Sequence, residues 1–105
     1  MAEGTINIPK NGWSALETLR SETYGYLTGM RNQNLGIAIV RWGGNSNPTP
    51  SSAETWDLQS FYKPAINCAV TMRNGDQMSV TTEGKIQMFF TGANWSACSI
   101  MYPIA

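Results

Sequence analysis

The chain contains no histidine, and that removes the usual routes to acyl transfer. Serine and cysteine nucleophiles need a base within hydrogen-bond reach, most often an imidazole. Cys68 and Cys98 form no Cys-x-x-Cys pair, and without histidine no zinc set can be completed. No glycine-rich phosphate loop precedes a helix. The remaining acid–base candidates are carboxylates, of which Glu54 and Asp57 stand close in sequence. A glycosidase needs two such groups at a set separation across one bond. Three-residue spacing in a polar stretch sets no distance, so two solvated acids are the simpler account. No cofactor is called for.

The aromatic residues say more. Four tryptophans and four tyrosines occur in 105 residues. Sugars present flat C–H faces ringed by hydroxyls. An indole covers the face, while a carboxylate, amide or guanidinium holds pairs of hydroxyls. Trp42, Trp56 and Trp95 each stand beside a polar turn, next to Gly43-Gly44, Asp57 and Asn94. Asp57, Asp76, Arg41 and Arg73 are the candidate polar partners. Any one of these is as readily a core ring or a solvated turn residue, but at least one of the three indoles is expected to face a ligand. The candidate saccharide site is therefore Trp42, Trp56, Asp57, Arg73, Asp76 and Trp95.

Composition limits the partners. Lysine plus arginine equals aspartate plus glutamate, giving a net charge of zero. Nucleic acid, which needs a basic stripe to displace counterions, is excluded as a class. So is a membrane surface held by charge, and no apolar run reaches the roughly 18 residues of a membrane span. No signal peptide opens the chain. Only 13% of residues are charged against 42% apolar, so Asn, Ser, Thr, Gln and Gly supply the polar surface. That chemistry suits neutral polyols. Cys68 and Cys98 either pair or remain as small buried thiols.

The elements that must position these residues are strands. The stretch from Ile66 to Phe90 reads as three strands joined by two turns, one at Asn74-Gly75-Asp76 and one at Glu83-Gly84, where glycine accepts the positive φ of a hairpin turn. Met78, Val80 and Thr82 share one face, as do Ile86, Met88 and Phe90, with polar residues between them. Phe89 breaks the alternation, which marks a partly buried face or a partner. Earlier in the chain, Thr5 to Pro9 reads as a short strand. Ser14 to Glu22 reads as the one helix-like piece, with Ser14 and Glu17 placed as a capping box, or as an irregular connection. Tyr24 to Met30 and Leu35 to Trp42 read as strands, the second buried on both sides. Gly43 to Ala53 reads as loop, Trp56 to Pro64 as an aromatic corner, and Ser96 to Tyr102 as a last strand. Seven or eight short strands with almost no helix predict an all-β domain, an antiparallel β-sandwich or jelly-roll-like barrel. Residues 1–13 read as the end of a stalk or linker with an entry strand, and residues 14–105 as the domain itself. A unit this small, without metal or a disulfide framework, is expected to gain stability from oligomerisation.

The ordered pieces NIPKNGWS (Asn7 to Ser14), YLTGMRNQNLGIAIVRWGG (Tyr26 to Gly44), FYKPAINCAV (Phe61 to Val70), the hairpin at Glu83-Gly84-Lys85 and the ending MYPIA together resemble the receptor-binding heads of phage tail-fibre and baseplate proteins. The likeness is greatest to those of siphophages infecting lactococci and other Gram-positive hosts. The resemblance implies a homotrimeric β head on the virion that binds host cell-wall polysaccharide, phosphate-containing polymers included, and joins other baseplate or tail proteins through an amino-terminal part. Some such heads hold saccharide with a His-x-Asp pair and a late arginine. Here Ser79, Thr81 and Ala97 stand near those places, so those ligands are not carried over. The rival expectations are an animal-virus fibre head binding a cell-surface receptor, a carbohydrate-binding module cut from a hydrolase, and a small polysaccharide-cleaving tail enzyme.

Overall fold

A computed structural model describes residues 12–46, 48 and 51–105. The expected strand at Thr5 to Pro9 lies outside the described residues, as does most of the 1–13 segment. Two four-stranded antiparallel sheets stack face to face as a β-sandwich, not a closed barrel. The first holds β1 (Glu17–Glu22), β2 (Gly25–Asn32), β3 (Ile37–Asn45) and β8 (Trp95–Pro103), in the order β1-β2-β3-β8. The second holds β4 (Ser52–Asp57), β5 (Cys68–Thr71), β6 (Gln77–Thr81) and β7 (Lys85–Phe90), in the order β4-β7-β6-β5. A short 3₁₀ turn, Ser60–Tyr62, lies between β4 and β5. No helix among the described residues is long and apolar enough to cross a membrane.

The meander from β5 to β7 follows the hydrophobic alternation. Met78, Val80, Ile86, Met88 and Phe90 are buried, and Thr82 is exposed in the turn. Both hairpins use a three-residue loop ending in a left-handed glycine, Gly75 at φ 91° and Gly84 at φ 82°, which lets each tight turn flow into a twisted ladder. The second loop is Thr82-Glu83-Gly84, because Thr81 pairs with Lys85.

Three sequence expectations are corrected. First, Glu17 to Glu22 is an edge strand paired to β2, not part of a helix. A helix of under three turns is marginal alone, and the Glu17 carboxylate that would have capped it accepts hydrogen bonds from Tyr62 and Arg31 instead. Second, β3 runs on through Gly43 and Gly44, and β4 takes in the last two residues of the expected loop and the first two of the expected corner. The physical reason is the Trp42 indole. Gly25 and Gly44 are cross-strand partners, and a Cβ at either would come within 2.5 or 2.6 Å of the Trp42 ring. The glycines are a seat for an aromatic ring, not loop residues. Third, β3 is not buried on both sides. Ala38, Val40 and Trp42 face the core, while Ile37 and Ile39 are only half-buried on the outer face.

The core joins the sheets through rings. Trp42 lies 5.9 Å from Trp56, 5.5 Å from Phe90 and 6.0 Å from Tyr24, centroid to centroid. Removing such a ring costs about 3–5 kcal/mol. Cys68 and Cys98 are free and half-buried. Burial pushes the Cys98 thiol above its ordinary value.

Candidate functional site

The strand directions give the sandwich two poles. At one pole lie the end of β3, the start of β8, the β1–β2 turn and the β5–β6 turn. At the other lie the β2–β3 and β6–β7 turns and Ile104, which bridges to Pro64. Trp13 bridges to Asn32 at that second pole, so the amino-terminal segment joins there.

Trp95 opens β8 at the first pole and is 64% exposed. The register pairs it with Asn45, and Tyr26 with Gly43. A Cβ placed on Gly43 would lie 3.7 Å from Trp95 Cζ2 and 3.5 Å from Arg41 Nη1. The indole and the guanidinium therefore lie together over a side-chain-free spot on β3. Arg41 makes no ion pair among the described residues. Beside this platform is a depression of about 290 Å³ lined by Thr23, Tyr24, Tyr26, Asn45, Pro48 and Trp95. Tyr26 is also strongly exposed, whereas the edge of Tyr24 rests on Phe90 at 5.6 Å. Burial, with the nearby Glu22 and Glu54 charges, raises the Tyr24 phenol above its ordinary value, so it stays a neutral hydroxyl. Two exposed rings, hydroxyls and the Arg41 guanidinium make this a candidate surface for stacking, with polar groups around it.

The other expected site residues are scattered. Trp42 is buried to 1% and Trp56 to 6%. They meet each other in the core, and neither offers a face to a ligand, although the Arg20 guanidinium lies 4.7 Å from the Trp56 ring centre. Asp76 is wholly buried. Its Oδ1 accepts from Ser46 Oγ at 3.2 Å and from Thr91 N and Oγ1 at 2.9 Å each, and its Oδ2 accepts from Ser96 Oγ at 3.1 Å. It ties three segments of the Trp95 pole together and leaves no room for a sugar hydroxyl. Arg73 is exposed in the β5–β6 turn at the same pole, outside the depression. Asp57 is at the opposite pole, ion-paired with Lys85. Glu54 and Asp57, three apart on a strand, point to opposite faces, so β4 does not aim both at one bond.

Of the six expected residues, Trp95 alone joins this platform. Tyr24, Tyr26, Asn45 and Pro48 were not singled out from the sequence; the Tyr24-Gly25-Tyr26 repeat beside a turn was the available signal. No group of three histidine, cysteine, aspartate or glutamate side chains among the described residues could hold a metal. Comparison with protein families, with characterised proteins and with solved structures finds no match to this chain.

Proposed function

We propose that this chain is a non-catalytic viral receptor-binding head, of the phage tail-fibre or baseplate kind, that attaches to host cell-wall saccharide as a homotrimer. The observation that carries the reading is the Trp95 platform: an exposed indole laid over Gly43, with Tyr26 and Asn45 beside it. A sugar ring can stack on the indole, its hydroxyls can meet the Tyr26 and Thr23 hydroxyls, and an acidic substituent can meet Arg41. The platform stands at the pole opposite the one where the amino-terminal segment joins, the arrangement a stalk-borne head requires.

Support for self-association comes from the outer face of the first sheet. Met30, Ile39 and Met101 form one cross-strand row, with Met101 60% and nearby Leu35 67% exposed. This row runs about 13 Å along the strands from Tyr26, on the same face as the platform. Association through it would set the platforms side by side. One weak site per head then suffices, because many heads on one particle multiply shallow affinities.

The test is binding of the purified protein to isolated Gram-positive wall polysaccharide, with its mass in solution measured in parallel. Trp95→Ala should weaken binding by about tenfold or more while the protein stays folded, and sedimentation should give a trimer. Unchanged binding in the variant would overturn the site. A monodisperse monomer at micromolar concentration would overturn the trimer.

A further inference from the structure

The outer face of the second sheet carries a different surface. Its residues run in two cross-strand rows: Ala53, Phe89, Gln77 and Thr71, then Thr55, Gln87, Ser79 and Ala69. Amides and hydroxyls fill these rows apart from two alanines and one phenyl ring. Phe89 is 42% exposed and packs on no other aromatic ring among the described residues. Around it is a depression of about 280 Å³ lined by Ala53, Thr55, Gln77, Ser79, Gln87 and Phe89.

The chemistry of that depression selects its occupant. Strands β6 and β7 are interior strands of their sheet, so their backbone groups are spent on the ladder and a ligand must be read by side chains. A peptide adding as a strand has no edge to join here. A protein partner would find one half-exposed ring among amides, too little apolar surface for an interface core. A polyol finds donors and acceptors in every direction. Ser79 Oγ donates to Gln87 Oε1 at 3.3 Å, which orients the Gln87 amide and leaves its Nε2 hydrogens without a protein acceptor among the described residues. Charge also selects. Asp57 and Lys85 neutralise each other one row away, so that pair offers an anion no net positive charge.

We infer that this face is a second saccharide site, separate from the Trp95 platform, in which an uncharged sugar ring stacks on Phe89 and Gln77 and Gln87 hold its hydroxyls. The assignment does not depend on the viral reading or on the trimer.

The test is a titration of the ¹⁵N-labelled protein with four uncharged oligosaccharides: cello-, malto-, laminari- and chito-oligomers. At least one should shift the backbone amides of β4, β6 and β7, with a dissociation constant on the order of 1 mM for a single shallow site. Phe89→Ala should remove those shifts, Gln87→Ala should weaken binding about tenfold, and Phe89→Tyr should keep it. Silence of β4, β6 and β7 toward all four sugars would overturn the inference. So would shifts that survive Phe89→Ala, or a preference for an oligouronate over every neutral probe. Shifts confined to residues around Trp95 would favour the platform and overturn the second site.

Discussion

Each pole of the sandwich is closed by a carboxylate, and the two are held in different ways. At the Trp95 pole, Asp76 is fully buried with no cation in contact, and hydroxyls and one backbone N–H carry its charge. At the other pole, Glu17 is half-buried, accepts from Tyr62 Oη at 2.7 Å and pairs with Arg31 Nε at 3.1 Å, while Arg31 lies 3.9 Å from the Phe61 ring centre. An anion satisfied by neutral donors stays in place only where every donor is fixed, so the Asp76 pole must be rigid. An anion satisfied by a cation tolerates water beside it. The pole carrying the candidate platform is thus the one that depends more on its carboxylate.

Asp76→Ala gives the largest effect expected from this contrast. It removes the shared acceptor of four hydrogen bonds in the interior and should cost about 3 kcal/mol in urea unfolding, with Asp76→Asn costing less. Glu17→Ala vacates a half-exposed position that water can enter and should cost about 1 kcal/mol. The reverse order would break the comparison. An intermediate effect lies in acid. Partial burial works to raise the Glu17 carboxyl, but the Tyr62 and Arg31 hydrogen bonds and the Arg31 charge outweigh it and hold the group below its ordinary value. A depressed folded value means that the unfolded chain binds the proton more readily. The Glu17 contribution is therefore complete above the unfolded glutamate pKa of about 4.3 and fades as pH falls through the folded value. Unfolding measured between about pH 5 and 3 should lose slope in Glu17→Gln; an unaltered slope would show that Glu17 is not so held. The smallest effects belong to charges that close nothing. Arg73→Ala and Asp57→Ala should each stay within about 0.5 kcal/mol of the parent, and a larger loss at either would mean that its pole has a second strut.

How much of this was legible depended on whether a residue's task is local. The meander from Cys68 to Phe90 was legible because its alternation and its glycine turns lie in adjacent residues. Strand β4 was not, since Ala53, Glu54 and Thr55 are exposed and Trp56 is its main inward anchor; an edge strand with one anchor has no period to read. Strand β1 was misread because Ser14 and Glu17 have helix-capping spacing. Their partners, the Arg31 backbone and the Tyr62 hydroxyl, are 17 and 45 residues away. The site divided along the same line. Nothing beside Trp42 in sequence shows that Gly25 and Gly44 together make its seat, so a core ring and a surface ring looked alike. Phe89 did signal itself, because its break in the alternation is local.

The seating of Trp42 has an optical consequence. Its ring and that of Trp56 lie 5.9 Å apart in the dry interior, so these two indoles should emit at short wavelength and be shielded from dissolved quenchers. Trp95, 64% open to water, should emit further to the red and be quenched first. Half-buried Trp13 lies between these limits, so with Trp13 replaced by phenylalanine the protein carries a shielded reference and an accessible reporter in one spectrum, and whatever settles on Trp95 can be followed without a label.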